Sequence, residues 1–386
     1  MVDLMSESSG KQFHVSGFLA RTSQLFGVGG FLLLALAFFA LSADNFFTPA
    51  NTVNVLSTIS VLGIVSIGQT FVLVSGGFDL SVSGTVPLGG IVFTVVSNAG
   101  HGVLVATLAA VAVGLAVGAL NAFIINVVRI NPLVTTLATL SIFVGFAFVL
   151  SGGLTIPVQD LNAGPMGDRL GGMPIYVWVL IAVALVGWLI LRYTVYGRSL
   201  YAMGGNAEAA RLAGLRTQAL TASVYTLSGG MASFAGVMLA QQLLAGSPAV
   251  GGQAALISIT AVILGGASLT GGTGGVPGTM LGVLLLGVVA NGMAIMQVPA
   301  FYQQIATGVM LLLAVGLGRI RAVIERASLR EVDSSKPGPD EKELRELETN
   351  EHLNAREGMP PGMSPTSDVE VGGQRVPQRD EGENDG

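Results

Sequence analysis

The chain has 386 residues, 51% hydrophobic and 11% charged, with a mean hydropathy of +0.70 and a formal net charge of −5. Soluble domains carry roughly 25% charged residues, so the composition excludes an ordinary soluble protein and points to an all-α polytopic membrane protein. Zero cysteines exclude disulfides, thiol nucleophiles and Cys-ligated metals, and His14, His101 and His352 form no metal-ligand spacing.

Residues 1–24 read as a cytoplasmic N-terminal segment and 25–320 as a transmembrane domain. At about 20 apolar residues per span, the first helix falls at 25–43. Lys11 and Arg21 before an apolar stretch ending in Ser42-Ala43 have the outline of a secretory signal. The apolar run is longer than a usual signal core and many spans follow, so an uncleaved first helix is expected. Further spans are predicted at 52–75 and 82–98.

Between those two lies Asp79, the one acid between Asp44 and Asp160. Two readings fit it. As an N-cap of the third helix, its carboxylate would receive free backbone N–H groups; as a gate residue, it would stand at a mouth of the path or meet a partner. The fourth to sixth spans are predicted at 103–128, 133–151 and 174–192. Val103–Ala119 is apolar on every face, which excludes the alternation of a transmembrane barrel strand.

A charged island follows, Tyr196-Gly-Arg-Ser-Leu-Tyr-Ala-Met-Gly-Gly-Asn-Ala-Glu-Ala-Ala-Arg-Leu-Ala-Gly214. Asn206 suits an N-cap, Glu208 the first turn, Arg211 the last turn and Gly214 a left-handed stop, so Asn206–Ala213 is predicted as a helix of about two turns. Isolated helices below about 12 residues are marginal in water, so something must pack on it. Its alanines, Ala209 and Ala210 among them, permit close approach, with Arg198, Glu208, Arg211 and Arg216 placed for charge-assisted contacts. The same pattern also suits an interfacial helix that merely connects two spans.

Residues 217–318 then contain no Asp, Glu, Lys or Arg. A charge at a membrane-helix centre costs about 2.5–3.5 kcal/mol on insertion scales, and four spans are predicted here, at 219–242, 254–269, 277–295 and 300–318. The total is about ten. Within this stretch Gly265-Gly-Ala-Ser-Leu-Thr-Gly-Gly-Thr-Gly-Gly275 echoes Gly76-Gly-Phe-Asp-Leu-Ser-Val-Ser-Gly84, as a repeated half-unit or as coincidence in a chain with 54 glycines. A Walker phosphate loop needs Gly-Lys-Ser/Thr after its glycines, and no Lys occurs from 12 to 335.

Residues 331–386 carry 15 acidic and 6 basic side chains, against 8 acidic and 12 basic in the rest. The acidic balance thus belongs to a tail that is polar, Pro/Gly-rich and expected to be disordered, with a transient charged helix over 340–352. A cytoplasmic N-terminus places Lys11, Arg21, Arg129, Arg192, Arg198, Arg211, Arg216, Arg319 and Arg321 inside and Arg169 alone outside, with Asp44, Asp160 and Asp168. By the positive-inside rule both termini and the island are cytoplasmic.

The island resembles the coupling loop of the monosaccharide-type permeases of ABC importers, through Gly197-Arg198, Ala202, Gly204-Gly205-Asn206, Ala209-Ala210 and Gly214. The resemblance extends to Gly68-Gln-Thr-Phe-Val-Leu-Val-Ser-Gly-Gly-Phe-Asp-Leu-Ser81, Asn131-Pro-Leu-Val-Thr-Thr-Leu-Ala-Thr139, Leu150-Ser-Gly-Gly153, Ala261–Gly274 and Gly278-Thr279, in order across residues 50–318. Thr273 stands where the family commonly has Arg, and Pro277 interrupts a small or apolar position.

The resemblance implies a ten-span permease in a bacterial cytoplasmic (inner) membrane, paired with an identical or different second permease. It further implies two ATPase subunits that use ATP and Mg, and a periplasmic or lipid-anchored sugar-binding protein. The chain itself is expected to hold no cofactor, no metal and no nucleic acid, and not to be an enzyme. The implied coupling residues are Gly197, Arg198, Gly204, Gly205, Asn206, Glu208, Ala209, Ala210, Arg211 and Gly214.

A stand-alone secondary transporter or channel is the alternative. Ion-coupled carriers usually keep ionisable groups inside the membrane, whereas nearly every charge here falls in a predicted loop. The polar residues within spans (Gln69, Thr70, Asn121, Thr136, Thr139, Ser141, Gln241, Gln242, Asn291 and Gln303) are expected mainly as helix–helix hydrogen bonds. No substrate contact is assigned.

Overall fold

The computed structural model describes residues 27–159, 168–313, 315 and 316. Both terminal segments, together with Asp160, Arg319 and Arg321, lie outside the described residues. The helices are α1 (Gly27–Ser42), α2 (Pro49–Val74), α3 (Val82–Asn98), α4 (Val103–Phe123), α5 (Pro132–Ser151), α6 (Ile175–Tyr193), α7 (Val195–Gly205), α8 (Ala207–Leu212), α9 (Thr217–Leu243), α10 (Ala254–Leu264), α11 (Val276–Ile295) and α12 (Ala300–Leu313).

Among the described residues six helices are long and apolar enough to cross a membrane, α4 counting through residue 128, and four shorter apolar ones accompany them. Each predicted span has a helix within a few residues of it, except that the eighth stops early and the end of the tenth, residues 317 and 318, lies outside the described residues. α10 ends at Leu264, not 269, because Gly265 and Gly266 leave the helix and Gly266 takes φ 95°. Its 11 residues rise only about 16 Å, short of the roughly 30 Å hydrocarbon core.

Local chemistry sets the other boundaries. Thr48 caps α2 through Oγ1, which accepts from the Asn51 N–H at 3.2 Å, with Pro49 in the first turn. α4 runs on as a π-turn over Ile124–Val128 and stops at Arg129, left-handed at φ 63°. Asn131 then caps α5, its Oδ1 accepting from the Leu133 N–H at 2.9 Å.

The core gathers round α9, which lies against α2, α3 and α4. A Cβ on Gly114 or Gly118 of α4 would strike the α9 backbone at Gly229 or Tyr225, and one on Gly89 would strike Ser233. Between membrane helices association rests on van der Waals contact and hydrogen bonds, so glycine here supplies the close approach from which stability comes. Large apolar side chains ring the outside, including Phe31, Leu34 and Phe38 on α1, Leu137 and Phe146 on α5, and Leu185 on α6.

Two short antiparallel ribbons complete the fold. Ile156–Pro157 (β1) pairs with Ala245–Gly246 (β4), and Arg169–Leu170 (β2) with Met173–Pro174 (β3). Asn98 ties the far end of α3 to β1, donating from Nδ2 to Pro157 O and accepting from the Gln159 N–H, both at 2.9 Å.

Candidate functional site

The island folds as two helices, one more than predicted. Thr194 caps α7, its Oγ1 accepting from the Gly197 N–H at 3.0 Å. α7 ends at Gly205, and Asn206 caps α8 by accepting from the Ala209 N–H at 2.9 Å. Gly214 closes the bracket at φ 86°, where a side chain would be strained. The predicted helix, cap and stop are thus present, while α7 was missed although Thr194 offers a cap and Tyr196, Leu200 and Met203 share one apolar face.

Of the coupling residues, Arg198, Gly205, Asn206, Glu208, Ala209, Arg211 and Gly214 are exposed, and Gly197, Gly204 and Ala210 are buried. Arg211 Nη2 donates to Glu208 Oε1 at 2.6 Å, one turn apart along α8, with both side chains about two-thirds exposed. The Arg211 guanidinium holds the Glu208 carboxyl below its ordinary value, by hydrogen bond and by charge. α8 therefore offers water a neutralised pair flanked by exposed alanines.

The buried residues carry this bracket into the bundle. Gly204 is wedged where a Cβ would collide with Val74 O at the end of α2 and would lie 2.6 Å from Gly272 N. Gly272 N in turn donates to Val74 O at 2.9 Å, and Tyr201 Oη donates to Gly274 O at 2.9 Å. A Cβ on Gly271 would lie 2.7 Å from Gly76 Cα. The two glycine segments that echo each other in sequence therefore touch, with α7 against their junction. Only residues without side chains allow three backbones to meet this closely.

Deeper in, Asp79 is fully buried. It is not the N-cap of α3; that position is Ser81, which makes no side-chain cap. Asp79 sits two residues earlier. Its Oδ1 accepts from the Ser81 N–H at 3.0 Å and from Ser81 Oγ at 2.5 Å, and its Oδ2 accepts from Ser228 Oγ of α9 at 2.7 Å. The capping expectation failed because Asp79 closes a turn onto residue i+2 and spends its second oxygen on another helix.

Four further side chains converge on the same loop. Asn121 Nδ2 of α4 donates to Ser81 Oγ at 2.8 Å, and Gln69 Nε2 of α2 donates to Asp79 O at 2.5 Å. Tyr225 Oη of α9 donates to Phe78 O at 3.0 Å, joined by Thr136 of α5 at 3.4 Å. Residues 78–81 thus fasten α2, α4, α5 and α9 to the start of α3. Ser228 and Tyr225 were missed from sequence, since no spacing links them to Asp79 and only long-range packing brings them in.

Most other intramembrane polar groups also join helices. Thr70 meets Thr279 of α11 at 2.8 Å, Gln242 donates to Ser57 O of α2 at 3.0 Å, and Asn291 and Asn51 exchange two bonds of 2.9 Å. Thr139 and Ser141 bond back to their own helix, Gln303 bonds to Val298 O, and neither polar atom of the buried Gln241 side chain has a partner.

Long apolar helices, backbone-close glycine contacts and an exposed bracket geared to buried loops define a multi-pass helical membrane protein of the permease class. The chain belongs to the family described as branched-chain amino acid transport system / permease component, whose model matches residues 51–315. It is 36% identical over 308 residues to the L-arabinose ABC transporter permease protein AraH of Azospirillum brasilense, covering 79% of this chain and 91% of that one. It is 34% identical over 312 residues to the ribose import permease protein RbsC of Escherichia coli K12, covering 80% and 96%. The RbsC of Bacillus subtilis is 30% identical, with the same coverage. No solved structure matches the chain. These relatives are transport permeases rather than enzymes, in agreement with the family resemblance carried by the island and the glycine segments.

Proposed function

We propose that the chain forms, with an identical or different second permease copy, the translocation path of an ABC importer for a monosaccharide or similar small polar solute. Separate ATPase subunits, using ATP and Mg, supply the energy, and a periplasmic or lipid-anchored sugar-binding protein delivers the solute. The protein sits in a bacterial cytoplasmic membrane with both termini inside, crossing it about ten times. Ribose and arabinose head the cargo classes because the relatives are named for them.

The observation that carries this reading is the path from α8 to the membrane. α8 is exposed, and α7 immediately before it is wedged by Gly204 against Val74 and Gly272. A push on α8 by closing ATPases is transmitted through packed backbone to the α2 end and the α10–α11 loop, and alternates the path between outward- and inward-open states. The sequence-level alternative of a stand-alone carrier or channel gains no support from the relatives.

Uptake into proteoliposomes holding this chain, the ATPase and the binding protein tests the proposal. ATP-dependent monosaccharide uptake that Glu208→Arg suppresses, with normal membrane insertion, is the expected result. Uptake that needs no ATPase and ignores Glu208 would overturn it.

A further inference from the structure

The stretch from Leu244 to Gln253 is irregular apart from the two-residue β4, yet it descends deep into the bundle. It leaves α9 at Leu244, whose carbonyl accepts from Val158 N beside β1. Gly246 lies against Gly90 and Thr94 of α3, Gly251 against Val86 and Pro87, and Ala255 N donates to Ser83 Oγ at 2.9 Å. Ser83 stands 15 residues, about 22 Å at 1.5 Å per residue, below Asn98. From the other side, Ser228, which bonds the Asp79 loop, lies about 16 Å in from the start of α9 at Thr217. The first turn of α10 therefore begins near mid-depth of a hydrocarbon core about 30 Å thick.

At that depth Gly252, Gln253 and Leu256 are exposed. Irregular backbone at membrane depth is tolerated where it is buried in protein or lines water, not where it faces lipid. A primary amide facing hydrocarbon is likewise costly. α3 contacts both the stretch and α5. At about 100° per residue, Ser83, Val86, Pro87 and Gly90 share the side of α3 that the descending stretch covers. Gly84 and Leu88, on the adjoining side, meet α5 at Leu140 and Phe143. The stretch and α5 thus occupy adjoining sides of α3, with Ser141 on the outward side of α5.

Resting on the importer reading above, we propose that Gly252 and Gln253 line the hydrated translocation path at its midpoint. The Gln253 amide, with one acceptor and two donors, meets the hydroxyls of a polyhydroxylated solute there. Placing the contact on the first turn of a half-length helix lets it move with the α10–α11 loop that α7 touches. Gln253 is thereby a specificity-determining residue.

The absence of native cysteine allows a direct test. Gln253→Cys and Leu185→Cys, the second on the exposed flank of α6 about 15 Å in from Ile175, are introduced separately in the full chain in membranes. Each is treated with a charged, water-soluble methanethiosulfonate. Labelling at residue 253 at least tenfold faster than at residue 185, slowed by D-ribose or L-arabinose, is the expected result. Comparably slow labelling of both thiols overturns the proposal. Because labelling reads water access whatever the cargo, fast labelling without protection by either sugar keeps the path and retires the pentose assignment. Loss of ATP-dependence in the wild-type uptake assay fails the importer reading on its own account.

Discussion

The Asp79 carboxylate accepts a hydrogen bond from Ser228 Oγ at 2.7 Å, across 149 residues of sequence, and so fixes the start of α3 to the middle of α9. The other carboxylate oxygen holds Ser81. One acid thus serves three donors in the most buried part of the bundle.

Asp79→Ala strands the Ser81 N–H and the Ser81 and Ser228 hydroxyls, and each buried group left without a partner costs about 1–3 kcal/mol. Asp79→Asn keeps the shape and an acceptor, so its loss should be clearly smaller. Thermal unfolding of the detergent-solubilised protein orders them as wild type, Asn, Ala. An alanine variant as stable as wild type would show that the knot contributes nothing.

Gly204 and Gly205 are adjacent and differ completely in their surroundings. A Cβ at residue 204 meets backbone of α2 and of the α10–α11 loop, whereas a Cβ at residue 205 meets nothing within 4 Å. Gly204→Ala should lower ATP-driven uptake at least tenfold by prising α7 from its seat, and Gly205→Ala should leave it within about twofold. Equal uptake by the two variants would mean that α7 transmits no movement.

Glu208 titrates below its ordinary value because Arg211 stabilises the carboxylate. A depressed acid contributes its interaction fully above the ordinary carboxylate pKa, and loses it as pH falls through the lowered value. The pair is therefore intact throughout about pH 6–8, and the pH profile of uptake in that range should be the same in wild type and Glu208→Gln. Glu208→Arg instead places two cations one turn apart on a solvated helix. Its thermal midpoint should stay near wild type while uptake falls, a split that separates contact with a partner from folding.

Asn51 and Asn291 exchange two amide hydrogen bonds between α2 and α11, and Asn51 also donates to Phe46 O at 2.8 Å. Hydrogen bonds between membrane helices contribute about 0.6 kcal/mol on average and up to about 1.7. Asn291→Ala should destabilise by an amount in that range. Asn51→Ala should cost more, because it also leaves the Phe46 carbonyl without its donor. Chemical unfolding in detergent micelles compares the two, and the reverse order would contradict the geometry.

Much of this architecture is legible in the residues because hydrocarbon leaves the backbone few choices. An apolar run must satisfy its own N–H and C=O groups, so the segments at 82–98, 103–128 and 133–151 appear where hydropathy places them. Caps are local as well, and Asn206 and Gly214 bracket α8 as their chemistry requires. The eighth segment misled because Gly265 and Gly266 are as hydropathically permissive as any span, while ending a helix.

The sequence by itself determined the membrane class, the helical segments, the cap and stop of the exposed bracket, and the family, since each depends on composition or on residues a few positions apart. Tertiary structure alone decided that Asp79 belongs to Ser81 and Ser228 rather than capping α3. It also decided that Gly204 is the fitted glycine of its pair, that the echoing glycine segments touch, and that residues 244–253 enter the bundle as irregular chain. Those outcomes turn on which backbones approach within van der Waals distance across a hundred residues or more. Small residues permit such approaches everywhere in this chain, and only the packed bundle selects which of them occur.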